Sequence, residues 1–224
     1  MRKMSRAALF VLADGRFPAG GHAHSGGAEP AVAAGRIRDA HSLEGFCRGR
    51  LHTVGLVAAA LAAAAAAGHD PLLLEEAADA RTPVPALRET ARRLGRQMMR
   101  AARATWPSPE LDALAAARPR GAHQPVVLGL AARSAGLAPL DAAYTAAYET
   151  VSGPATATVR LLSLDPFDAT GVLARLAGDL DRIATAAAGR LPEEGIDVLP
   201  AASAPLLDIT AQQHAAWPVR LFAS

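Results

Sequence analysis

The chain has 224 residues, about half of them hydrophobic, and a formal net charge of +2. That length suffices for one sizeable core. So small a charge, with aromatics at only 4%, excludes the basic stripe with stacking rings expected of a nucleic-acid binder. Alanine is abundant and has the highest helix propensity. The expectation is therefore an all-α protein: one domain over 1–224, about ten helices of mixed length, and no sheet.

In chain order, residues 5–13 read as a short helix, too soon interrupted by Asp14 for a signal peptide. Asp14 to Gly27 is a glycine-rich loop. Residues 28–34 form a short helix closed by Gly35. A long helix follows from a cap at Ser42 to Gly68. Its uncharged stretch, His52 to Gly68, is mostly alanine and falls short of the ~20 strongly apolar residues of a membrane span. It reads as an interior helix with Phe46, Val54, Val57 and Leu61 near one face. Cys47, the single cysteine, allows no internal disulfide and reads as a small core residue in a reducing, cytoplasmic setting.

Leu72 to Ala80 is the next helix, and Thr82-Pro83-Val84-Pro85 breaks it. Over 84–105, Val84, Leu87, Ala91, Leu94, Met98 and Thr105 make one apolar stripe. Arg92, Arg96, Arg100 and Arg103 form a basic ridge elsewhere on the cylinder, either a solvated face or a seat for an acidic partner. Ser108-Pro109-Glu110 starts a helix. Residues 125–135 form another, ended by Gly136, with His123 as its cap. Pro139 opens a helix that reaches Val151 and should break or kink at Gly153-Pro154 before continuing over 155–163. Asp165-Pro166 starts a helix to about Ala188. Residues 190–204 are irregular, and Pro205 begins a last helix ending near His214.

Two segments stand out chemically. The loop Gly20-Gly21-His22-Ala23-His24-Ser25 can expose backbone N–H groups but lacks the lysine of a phosphate loop. His22 and His24 form a His-x-His pair suited to nickel, copper or zinc. Further ligands would come from Glu29, Asp14 or His41, at spacings that match no known signature. Polar loop residues without metal are the plainer reading. A metal-dependent hydrolase using His22 and His24 is one functional alternative, and a helical interaction module with no link to nickel is another. The second segment is Trp217-Pro218-Val219-Arg220-Leu221-Phe222-Ala223-Ser224. Large apolar side chains lose free energy in water, so this tail either docks on its own domain or is held by another protein.

These pieces resemble a known family. Leu12-Ala13, Phe17-Pro18-Ala19-Gly20-Gly21, Ser25 and Glu29 resemble the amino-terminal signature of the urease accessory protein UreF. Gly95-Arg96-Gln97-Met98, His123-Gln124-Pro125-Val126-Val127-Leu128-Gly129 and Ala157-Thr158-Val159-Arg160-Leu161 resemble its middle elements. Ala204 to Ile209, His214 and Arg220 to Ser224 resemble its end. The matches are in order and span nearly the whole chain. Departures mark a divergent member: His22-Ala23-His24 where the family has Phe-Ser-Tyr, Ala215 for a glutamate, Ala223 for an arginine, and Asp165-Pro166-Phe167 for a Gly-Gln element.

The resemblance implies an all-α, dimeric, cytoplasmic protein without catalytic activity. It implies no tightly bound cofactor, with transient nickel contact open to it. It also implies a complex with UreD (UreH) and the GTPase UreG that delivers nickel to apo-urease and regulates GTP hydrolysis. Partner contacts would fall on Gly20, Gly21, Ser25, Glu29, Arg160, His214, Trp217, Arg220, Leu221, Phe222 and Ser224, with 215–224 as the segment that engages UreD.

Overall fold

Proline at the first helical position accounts for how much of this chain starts. Pro71, Pro85, Pro109, Pro139, Pro166 and Pro205 each open a helix. Their missing N–H is one that the first turn leaves without an intrahelical partner. The computed structural model describes residues 6–191 and 196–222. Within them all regular structure is helical: α1 Ala7–Leu12, α2 Ala28–Ala33, α3 Ala40–Arg50, α4 Leu56–Ala67, α5 Pro71–Ala80, α6 Pro85–Thr105, α7 Pro109–Ala117, α8 Gln124–Ser134, α9 Pro139–Leu162, α10 Pro166–Arg175, α11 Ala177–Ala188 and α12 Pro205–Ala215.

Three expectations need correction. The long helix is capped by Asp39, three residues before Ser42. Asp39 accepts from the Ser42 N–H at 2.8 Å, and Ser42 Oγ accepts from the Asp39 N–H at 3.1 Å, a reciprocal box. Two good cap residues stood three apart, and the pair works only with the earlier one outside the helix. Second, the segment expected to run from Pro166 to Ala188 is two helices that meet at Leu176. Leu176 is fully buried, so the apolar pattern runs unbroken through the bend.

Third, α9 does not break at Gly153-Pro154; it runs through both. A proline there leaves the carbonyl four residues earlier, that of Thr150, without its helical donor. Arg50 supplies one: its Nε donates to the Thr150 oxygen at 2.9 Å. The cross-chain bond does what the sequence in α9 cannot do alone.

The core is built around α4. It joins α3 through a π turn, Leu51–Gly55, into one continuous helix from Ala40 to Ala67. That helix is long and apolar enough to cross a membrane by length and composition, yet most of its apolar window is buried inside this fold. Nine of the α4 residues are buried, and it packs on α8, α9 and α11. Alanine permits the close approach. A Cβ at Gly129 on α8 would run into the Ala62 carbonyl of α4. Gly68 ends α4 at φ 101°, in the left-handed region, and Arg133 of α8 donates to the Ala66 carbonyl at 3.2 Å.

Around this centre, α3 and α10 lie on α9, α6 lies on α8, and α12 sits against α6 and α2. The irregular stretch 196–204 is tied down by Arg81, which donates to the Leu199 and Pro200 carbonyls at 2.8 Å each. Cys47 is buried as expected, and burial pushes its thiol up to about 12.

Candidate functional site

Glu29 is the centre of the site. It lies in the first turn of α2, where an acid is favoured by the helix dipole. Gly27, at φ 88°, leads into that turn. Ser25, fully buried, accepts from the Glu29 N–H through its Oγ at 3.3 Å. Glu29 is only 7% exposed, and its carboxylate faces the tail. It accepts from the N–H of Leu221 at 2.8 Å and of Phe222 at 2.9 Å. His214 Nε2 lies 3.1 Å from its second oxygen.

One buried carboxylate thus clasps three donors from the other end of the chain. Charge-assisted bonds of this kind are about twice as strong as neutral ones. Burial pulls the His214 imidazole below its usual range, with Glu29 opposing and Arg220 adding to the depression. The neutral ring then donates Nε2–H to Glu29. Trp217 meets the His214 ring edge-on, 4.6 Å between centroids. Phe222 is 6% exposed, with the Arg160 guanidinium 5.0 Å above its ring.

The structure therefore brings Ser25, Glu29, Arg160, His214, Trp217, Leu221 and Phe222 into one cluster. Two residues flank it differently. Gly20, at φ 81°, presses on α6 so closely that a Cβ would strike the Gln97 amide. Gly21 has open space around it. Arg220 is exposed. Ser224 lies outside the described residues, as does the His22 side chain. The tail docks on its own domain through backbone and ring, while Val219 and Leu221 stay 79% and 67% exposed.

For metal, the arrangement offers little beyond the His-x-His pair. Among the described residues no three His, Cys, Asp or Glu side chains gather into a ligand set. Of the further ligands considered, Glu29 is taken by the tail, and Asp14 pairs with Arg16 at 2.8 Å. The ridge on α6 is also largely spent internally. Arg92 pairs with Asp79, Arg103 with Asp112, and Arg96 donates to the Arg120 carbonyl.

A second polar cluster escaped the sequence. His123 stands just before α8, at the cap position, but its ring does not cap the helix. Its Nε2 bonds Asp79 at 2.8 Å, and its N–H donates to Glu75 at 2.7 Å. Burial raises Glu75 to about 7, against the pull of the His123 N–H. The spacing of Glu75 and Asp79 by four on α5 was the available signal, since it puts both acids on one face. Arg50 left no signal of that sort, because its partner lies on α9, 100 residues on.

Comparison with known proteins adds the relatives. The family model for UreF matches residues 37–177. A urease accessory protein UreF of Mycolicibacterium vanbaalenii is 42% identical over 98% of this chain and 99% of its own. One from Mycobacterium sp. (strain JLS) is 43% identical, covering 96% and 97%. One from Mycobacterium tuberculosis is 41% identical, covering 94% of each.

Proposed function

Since the chain belongs to the UreF family of urease accessory proteins, we propose that it is a non-catalytic assembly factor of urease maturation. In this reading it works in the cytoplasm as a homodimer. It docks a UreD-like (UreH-like) protein through α12 and the tail, and presents the 14–29 loop and Arg160 to a UreG-like GTPase. The complex delivers nickel to apo-urease. Its contribution is geometric: holding the GTPase in one conformation couples hydrolysis to nickel release. Any nickel contact of its own would be transient and would use His22 and His24.

The observation that carries this reading is the two-sidedness of the tail. Glu29 fixes its backbone and Phe222 anchors it inward, while Val219 and Leu221 stand in water. Leu206 and Ile209 of α12 are also more than half exposed. Apolar side chains held outward on a fixed backbone are pre-ordered for a partner, which lowers the entropic cost of binding. The test is co-purification with a UreD-like protein of a Val219→Ser/Leu221→Ser variant. Loss of capture with unchanged thermal stability is expected. Undiminished capture would remove the tail from the interface.

A further inference from the structure

Bounded by the π turn and α4, α6, α9 and α12 lies a cavity of about 540 Å³. Pockets that hold small organic ligands run ~300–1,000 Å³. Its walls include Val54, Val57, Leu61, Leu87 and Leu94. Protein interiors normally leave few voids larger than a water molecule. A space this large among aliphatic side chains is an open seat and not a packing flaw.

Arg50 also lines this cavity. Its guanidinium has five N–H donors, of which Nε is committed to the Thr150 carbonyl. Among the described residues no carboxylate lies within ion-pair distance of Arg50, although eight other arginine–carboxylate pairs form. Arg50 is half-buried, and charges withdrawn from water are paired as a rule. Burial lowers Arg50 to about 10, so it remains a cation at neutral pH. Three carboxyl groups share the cavity, Asp14, Glu149 and Asp208. None reaches Arg50: Asp14 pairs with Arg16, and Glu149 accepts from the Gln124 amide. Burial raises Glu149 and Asp208, which weakens their opposition to an incoming anion, and Arg16 offsets the charge of Asp14. The other two arginines on the wall are engaged: Arg160 is stacked on Phe222, and Arg81 donates to the Leu199 and Pro200 carbonyls.

We propose that this cavity binds a small amphiphile with one carboxylate head, paired to the free edge of the Arg50 guanidinium, and a short aliphatic chain along the Val57–Leu61–Leu94 wall. One arginine with its Nε already engaged matches a planar monoanion. A phosphate dianion would call for further donors and a second cation beside it. The inference stands on the cavity and Arg50, independently of the assembly role.

The test is equilibrium dialysis of the full chain with octanoate, octan-1-ol and octylamine. Octanoate is expected to saturate one site, octanol to bind at least about tenfold more weakly, and octylamine not to bind. Arg50→Gln keeps an amide N–H for the Thr150 carbonyl and should weaken octanoate at least about tenfold. Ala91→Leu narrows the cavity from α6 without touching Arg50 and should abolish octanoate binding, so the answer survives a misfolded Arg50 variant. Equal affinity for octanoate and octanol, no saturable octanoate binding, or full octanoate affinity in the Ala91→Leu chain would each overturn the proposal.

Discussion

At the scale of single residues, buried acids set the pH behaviour. Glu149 and Glu75 are both raised to about 7 by burial. A raised acid favours the folded state most when protonated. Its contribution is full below the unfolded value, near 4.5, and fades as pH climbs towards the folded one. Glu149→Gln keeps the shape and removes the charge. It should raise Tm by a few degrees at pH 8 and by about nothing at pH 5, measured by calorimetry. The histidines act oppositely. Burial depresses His214 and His123, so their support is present above about pH 6.5 and is lost as pH falls through their folded values. Glu29 is the residue whose change should matter most. In Glu29→Gln an amide N–H would face donors, leaving buried N–H groups unsatisfied at a cost of about 1–3 kcal/mol each. Tm should fall by about 5 °C or more. Trypsin should cut after Arg220 faster than in the parent, seen as an earlier loss of the last four residues by mass spectrometry.

At the scale of elements, glycines in helices separate into two kinds. Gly129 lets α8 lie against α4, where a Cβ would strike the Ala62 carbonyl; around Gly153 on α9 there is open space. Gly129→Ala should therefore destabilise by about 2–4 kcal/mol through overpacking and backbone displacement. Gly153→Ala should stabilise by about 0.5–1 kcal/mol, since it removes backbone freedom at no steric cost. Urea denaturation midpoints of the two variants should move in opposite directions. The helices themselves were largely legible, because prolines, caps and glycine stops are local signals. Continuity of α9 was not, since the donor that rescues the Thr150 carbonyl comes from another helix. The split at Leu176 was hidden because burial and periodicity persist through it. For the site, Ser25, Glu29, His214 and Phe222 were legible as a family resemblance. Their mutual bonding was not, because it joins residues up to 193 apart. The cavity was invisible for a similar reason: its walls come from segments scattered along the chain.

At the scale of the whole molecule, the clasp makes the two ends thermodynamically coupled. A chain lacking residues 217–224 should keep its far-UV circular dichroism, since α12 ends at Ala215. Its Tm should nevertheless fall, because Glu29 loses the Leu221 and Phe222 donors. In that shortened chain Glu29→Gln should be nearly neutral, while in the full chain it should be costly. Such non-additivity is the mark of groups that share one network. Equal Tm losses from Glu29→Gln in both backgrounds would show that the clasp carries no stability.

The order of synthesis gives the clasp a temporal meaning. Glu29 leaves the ribosome long before the amides that will satisfy it, 192 and 193 residues later. Domains fold as they emerge, at about 5–20 residues per second. For many seconds a nascent chain holds an acid whose intended neighbours do not yet exist. A message cut short by even a few codons yields a polypeptide in which that wait never ends, and quality-control proteases are given a reason to tell it from a finished one.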